Sequence, residues 1–199
     1  KPGFSRREVL KDDGQAGLVA QFTGLGSLTY GELAGERMKL GLLLNDPEEE
    51  HDCFSDNTHN STYYDAMGIR NVYLGSYTRV DGTVVSGPSA SELVAAKDPA
   101  ADAQLRGELD ATMTAVTAIK TAAEGGMHYD QMIAPGNKEG ETLVMGGVNA
   151  LITQTASVQR AMAALHASAA KHGNDALATA TASGQYVDPQ GVFSGGTHP

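Results

Sequence analysis

The feature that most constrains the fold is a long apolar repeat between residues 98 and 126. Apolar side chains recur there at steps of three or four residues, which aligns them along one face of an α-helix: Leu105, Leu109, Met113, Val116 and Ile119. Asp98 supplies an N-cap and Pro99 a favoured first helical residue, while Gly125 and Gly126 end the pattern. The sequence therefore predicts a helix at about Pro99–Glu124.

A second repeat of the same period predicts a helix from about Glu139 to His172, with Gly173 as its C-cap. Aromatic residues make up only 6% of the chain and Trp is absent, so the core must consist of aliphatic side chains and Met. Such residues suit helix packing better than a β-sandwich. The expected fold class is all-α, a helical bundle over residues 1–173 followed by an irregular tail over residues 174–199.

The first half of the chain has weaker patterns. The apolar spacing from Gln15 to Leu44 is helical, but its phase slips at Gly24-Leu25-Gly26, where a break is expected. Asp81-Gly82 lies between β-branched residues and could turn a hairpin. We interpret that stretch as a local irregularity and not as a sheet.

Charge and hydropathy exclude several classes of partner. The formal net charge is -10 and the pI is about 4.9, which argues against binding to nucleic acid or to anionic lipid. No apolar run approaches the roughly 20 residues that span a bilayer. The chain begins at Lys1 and not at Met, so we expect a processed, trimmed or cleaved start.

The segment from His51 to His59 is the best candidate for a functional site. It holds two His, two Asp, the only Cys and an Asn, and three glutamates precede it. Imidazole and carboxylate groups suit iron, zinc or manganese. The proposed ligands of an iron or zinc ion are Glu32, Glu36, His51, Asp56 and His59, and the proposed polar interface residues are Arg37, Asp52 and Asn57. We expect this segment to be buried or interfacial, with Asp56 paired to Arg37.

Simpler interpretations of the same residues remain open. Asp56 or Ser55 can cap the next helix, the His side chains can bond to backbone, and the Glu32, Glu36 and Arg37 charges can form an ion-pair network that orients helices. His128 lies where a helix ends and fits a partner of the helix dipole better than a metal ligand. A nucleophilic role for Cys53 lacks an identifiable orienting group and oxyanion hole.

Three blocks of the chain resemble the imelysin family. They are LGSLTYGELAGERM at residues 25–38, EEEHDCFSDNTH at residues 48–59 and GIRNVYLGSY at residues 68–77. The resemblance extends from about Phe4 to Lys171 and corresponds to the C-terminal half of the family fold. It implies an all-helical fold of two bundle-like halves, a location in the bacterial periplasm or on the outer surface, and a link to iron uptake.

The resemblance also implies what this chain lacks. Some members are described as insulin-cleaving metallopeptidases, with a G-x-H-x-x-E motif in the N-terminal half that is absent here, so only Glu32, Glu36, Arg37 and the residues from His51 to His59 carry over. The leading hypothesis is a protein of iron acquisition that binds metal, or a metal-bearing partner, at the interface with an N-terminal half or a second chain. The alternatives are a metallopeptidase whose motif-bearing half is missing and a non-catalytic interaction module. The chain alone is expected to have no peptidase activity.

Overall fold

A computed structural model describes residues 14–169, and the expectations for residues 1–13 and for the tail lie outside these residues. In chain order the elements are α1 (Gln15–Ser27), a π-helix (Leu28–Lys39), α2 (Leu40–Leu44), two 3-10 turns (Pro47–Glu49 and Cys53–Ser55), α3 (Thr58–Leu74), β1 (Ser76–Thr78), β2 (Val84–Ser86), α4 (Ala90–Ala95), α5 (Pro99–Glu124), α6 (Tyr129–Met132) and α7 (Lys138–Ala169). The predicted all-α class is confirmed.

The two longest predicted helices are confirmed as α5 and α7. The Asp98 side chain accepts a hydrogen bond of 2.9 Å from the Ala101 backbone N–H, and Pro99 occupies the first helical turn. α7 begins at Lys138, one residue before the predicted start, and its described part ends at Ala169. The apolar period located α5 and the start of α7 to within one residue, and Asp98 and Pro99 mark the start of α5. The predicted end at His172 with its Gly173 cap lies outside the described residues.

The core lies where α5 and α7 pack against each other, with the π-helix and α3 on their flanks. The fully buried side chains of this core come from every long helix: Phe22, Leu33, Met38, Ile69, Tyr73, Leu105, Leu109, Ile119 and Leu151. Aliphatic residues and Met dominate, as the composition predicted. None of the helices between residues 14 and 169 combines the length and the apolarity that a bilayer crossing requires.

The expected break at Gly24–Gly26 is wrong, because the helix continues through it and changes type a few residues later. Leu28 still bonds to the Gly24 and Leu25 carbonyls, and the wider turns of the π-helix then run as far as Lys39. Thr29 lies at this junction with no exposed surface, donates to the Leu25 carbonyl and accepts a bond of 3.3 Å from Gln154 on α7. Buried contacts from a distant helix thus hold the junction, and no local sequence pattern reports them.

The stretch around Asp81-Gly82 is a real hairpin, so its interpretation as a mere irregularity is wrong. β1 and β2 pair antiparallel, with Tyr77 opposite Val85. Gly75 precedes the hairpin with a φ of +60°, and a Cβ there would lie 2.9 Å from the Ser89 side chain. The cross-strand hydrogen bonds and this close approach make a two-stranded ribbon from a stretch too short to show a clear alternating pattern.

Candidate functional site

The polar segment between α2 and α3 folds as an ordered loop that is tied down at both ends. Asn45, with a left-handed φ of 51°, donates from Nδ2 to the Leu42 carbonyl at 3.0 Å and to the Ile133 carbonyl at 2.7 Å. At the other end the Asp52 backbone N–H donates to the buried Thr58 hydroxyl at 2.9 Å. These bonds place the loop against α6 and the start of α3.

The loop and α3 enclose a polar cleft of about 530 Å³. Its lining comes from two consecutive stretches of chain, the loop and the first turns of α3: His51, Asp52, Asn57, Asn60, Ser61, Tyr64 and Asp65. Ser61 donates to the Asp52 carboxylate, and Asn60 donates to the Asn57 side chain at 2.9 Å. Three of the predicted residues, His51, Asp52 and Asn57, therefore lie together in one cleft.

His51 has a carboxylate partner that the sequence analysis missed. Its Nδ1 lies 3.6 Å from Oδ2 of Asp65, and both side chains are about one-third exposed. Burial raises the pKa of the Asp65 carboxyl, and the neighbouring charges of His51 and Arg37 partly offset this effect. Asp65 lies four residues after Ser61, so helical spacing would have brought it to this face once the start of α3 was known.

The expected pairing of Arg37 with Asp56 is wrong. Arg37 instead contacts Glu32, with Nε at 2.8 Å and Nη2 at 2.6 Å from Oε1. Residues five apart lie on different faces of an α-helix, but the wider turn of a π-helix brings them together. This pair lies close enough to the cleft for both of its charges to act on Asp65.

Asp56 does not line the cleft and meets His128 instead. Oδ2 of Asp56 lies 2.8 Å from Nδ1 of His128, and both side chains are about half exposed. His128 directly precedes α6 and is not a partner at the end of a helix dipole, so that expectation is also wrong. Asp56 has a φ of 51°, and the residue at the N-cap of α3 is Asn57, which makes no side-chain capping bond.

The remaining two predicted ligands lie elsewhere. His59 is 9% exposed on α3, with Nε2 at 3.1 Å from the Asn60 amide and Nδ1 buried without a hydrogen bond. Glu36 is exposed on the π-helix. Among residues 14–169, no three His, Cys, Asp or Glu side chains are arranged to hold one metal ion. The five predicted ligands thus do not come together as a group of three or more.

Glu50 is the buried group that the sequence analysis did not single out. Only 6% of its surface is exposed, and its Oε2 has no hydrogen-bond partner. Burial raises the pKa of Glu50, and the carboxylates of Asp130, Asp56 and Asp52 raise it further, against the effect of a hydrogen bond with Thr58. Nothing in the run of three glutamates distinguishes this residue from its two exposed neighbours.

The surroundings of Cys53 do not activate its thiol as a nucleophile. Burial raises the pKa of its thiol, and the negative charges of Glu50, Glu48, Asp46 and Asp130 add to that effect. A reactive cysteine needs a lowered pKa, which nearby positive charge provides. The surroundings of Cys53 therefore give no support to cysteine-dependent hydrolysis.

Comparison with known proteins gives one match that covers most of the chain. The family model described as Imelysin matches residues 1–158. A second model, described only as a protein of unknown function (DUF2817), matches residues 135–199, about a third of the chain. A search of curated proteins finds no match.

Proposed function

Because the chain belongs to the imelysin family, we propose that it serves iron acquisition in the bacterial periplasm or at the outer surface. In this proposal the cleft formed by the loop and α3 binds a metal ion or a metal-bearing partner. The observation that carries it is the pairing of His51 with Asp65 at 3.6 Å inside a polar cleft. Family membership alone leaves the position of such a site open, and the cleft supplies one.

The His51–Asp65 pair has the form that metal sites favour. An imidazole that binds a metal through one ring nitrogen usually gives its other N–H to a carboxylate, which fixes the orientation of the ring. Oδ2 of Asp65 lies 3.6 Å from Nδ1 of His51, which makes no hydrogen bond in this structure. A small approach of Asp65 would complete this support and leave Nε2 of His51 to bind an ion. Asp52 lines the same cleft and offers an oxygen ligand. Imidazole with carboxylate suits iron or zinc.

The cleft suits a metal site at which some coordination positions are left for outside ligands. It does not suit a site at which this chain supplies every ligand. Since no group of three ligating side chains exists among residues 14–169, His51 and Asp52 would supply two ligands at most. The other ligands must come from water, from a chelator that carries the ion, or from a partner. We propose that the N-terminal imelysin half or a second chain contributes them at this interface.

A second candidate function, a non-catalytic interaction module, has its own supporting observation. Asp52 already accepts a bond from Ser61, and Asn60 donates to Asn57, so much of the polar lining is satisfied within the chain. In this candidate the only role of these bonds is to fix the loop on α3. Metal binding separates this candidate from the first.

The test measures bound metal on the purified chain and on matched variants. The chain is loaded with Zn²⁺ or with ferric citrate, desalted, and analysed by elemental mass spectrometry and by calorimetric titration. We expect His51→Ala and Asp65→Asn to lower the affinity by about tenfold or more, the usual effect of removing a ligand or its supporting partner. His128→Ala is the control, because it removes a half-exposed imidazole outside the cleft.

Equal metal binding in all variants, or none in the unmodified chain with either metal source, would favour the interaction module. A peptide-cleavage assay with and without chelator accompanies the titration. We expect no cleavage by the chain alone, and chelator-sensitive cleavage would favour the metallopeptidase instead.

A further inference from the structure

We propose that the acidic corner of the molecule, which is distinct from the cleft, docks a positively charged segment of a partner protein that also carries apolar side chains. The acidic corner consists of the end of α2 and the loop that follows it: Leu43, Leu44, Asp46, Glu48, Glu49 and Phe54. Its acidic and apolar side chains belong to one continuous stretch of chain that folds back on itself. The Asp46 backbone N–H bonds to the Gly41 carbonyl at 3.2 Å, which brings the loop against the end of the helix.

Charge is unusually one-sided in this part of the chain. Residues 40–69 contain seven carboxylates and no Lys or Arg. The cations that directly precede this stretch are Arg37 and Lys39 on the π-helix, and Arg37 is already paired with Glu32. Among the ion pairs found between residues 14 and 169, none involves Asp46, Glu48 or Glu49. The negative charge of these three carboxylates can therefore be neutralised by a cation from a partner molecule.

A buried carboxyl that follows Glu49 directly in the sequence also lacks a full set of partners. Oε2 of Glu50 is buried without a hydrogen bond, and only 6% of the residue's surface is exposed. An isolated buried carboxylate is costly. A cation held on the surface of this loop would reduce the cost of burying the Glu50 carboxylate. The buried Glu50 therefore favours the same positively charged ligand as the exposed carboxylates.

Apolar side chains at the same corner point to more than a simple ion. Phe54 is fully exposed, and Leu43 and Leu44 are 67% and 57% exposed. Large apolar side chains that are exposed together and bordered by charge are typical of protein interaction sites. A partner that matches both features must present Lys or Arg beside apolar residues, as an amphipathic basic helix does.

The other possible occupants fit less well. An anionic lipid surface would be repelled, and a second copy that met this one corner to corner would place acid against acid. The basic residues of this chain's own start, Lys1, Arg6, Arg7 and Lys11, precede a continuous helical run from Gln15 to Leu44. That run is about 40 Å long. Thirteen residues would have to be almost fully extended to cover this length, so residues 1–13 are poorly suited to reach the acidic corner of their own chain.

The test uses a labelled synthetic peptide of alternating Lys and Leu pairs, added to the whole chain and followed by fluorescence anisotropy at low salt. We expect binding that weakens as salt is added and an affinity at least tenfold lower for Glu48→Lys with Glu49→Lys. Phe54→Ser should also weaken binding, whereas Glu139→Lys, which reverses an exposed acid on α7, should change it little. Circular dichroism checks that each variant is folded.

Several outcomes would overturn the proposal. The first is no binding of the Lys–Leu peptide at low salt. The second is equal binding by the double variant, Glu48→Lys with Glu49→Lys, and by the Glu139→Lys control. The third is undiminished binding of a Lys–Ser peptide of the same charge. Binding to anionic vesicles, or self-association that is lost on removal of residues 1–13, would assign the corner to a different occupant. Metal binding at the cleft should stay unchanged in the Phe54→Ser variant, so this test and that of the cleft fail independently.

Discussion

At the scale of single residues, the segment from Glu50 to His59 contains both buried and exposed side chains. Glu50, Thr58 and His59 are buried, while Phe54 and Asp56 are exposed. The prediction that the segment from His51 to His59 is a buried or interfacial polar site therefore agrees with the burial of some of its residues and not of others. The buried part anchors the loop, and the exposed part is free to meet a ligand or a partner.

Glu50→Gln should reveal the cost of burying a carboxylate in this loop. Burial raises the pKa of Glu50 in the folded chain, so the folded state holds the proton more tightly than the unfolded state. Wild-type stability should then fall, relative to the Gln variant, as the pH rises from the unfolded pKa of about 4.3 through the folded pKa. Urea unfolding at pH 4 and pH 7 measures the difference between the two proteins.

We expect the Gln variant to be the more stable protein at pH 7 and nearly equal to wild type at pH 4. The matched control is Glu49→Gln, which removes an exposed carboxylate next to Glu50 in sequence. A difference between Glu50→Gln and wild type that is the same at both pH values would contradict the interpretation.

At the scale of elements, close backbone approach decides how α6 and α7 meet. A Cβ on Gly140 would overlap backbone atoms of Met132, whose carbonyl carbon would lie only 2.7 Å away. Gly146, six residues later on the same helix, has open space around it. The two glycines look alike in the sequence, but only the first is required by packing.

Gly140→Ala should destabilise the chain by about 2 kcal/mol or more, because backbone atoms cannot move aside as a side chain can. Gly146→Ala should instead be neutral or stabilise by up to about 1 kcal/mol, the helix propensity that Ala gains over Gly. Chemical unfolding of both variants gives the two values. Similar free energies of unfolding would show that α6 does not approach α7 this closely.

At the scale of the whole molecule, the net charge of -10 means that repulsion among like charges lowers the stability of the folded chain. The acidic corner concentrates this repulsion, since its three carboxylates make no ion pair among the described residues. The described ion pairs are mostly exposed and therefore contribute little.

We expect the melting temperature to rise when NaCl is increased from about 20 mM to about 300 mM, because screening shortens the range of the repulsion. The Glu48→Lys and Glu49→Lys double variant should melt higher than wild type at low salt and depend less on salt. Differential scanning calorimetry at the two salt concentrations checks both statements. A melting temperature that falls with added salt would mean that attractive ion pairs dominate.

The sequence by itself determined the all-α class and located the two longest helices. The period located α5 and the start of α7, and Asp98 and Pro99 marked the start of α5, because these signals are local and depend on side chains within a few turns of each other. The same reasoning brought His51, Asp52 and Asn57 together, since they are neighbours along the chain. Three blocks of residues sufficed to indicate the family to which the chain belongs.

Tertiary structure decided the rest, for reasons that no local pattern contains. The π-helix changes which residues share a face, so Arg37 meets Glu32 and not Asp56. Gln154 reaches the start of that helix from 125 residues away. Glu50 is buried while Glu48 and Glu49 are exposed, and Asp65 reaches His51 only once α3 is in place. Burial and long-range contact are properties of the packed chain, and they selected the residues of the cleft from a larger set of polar side chains.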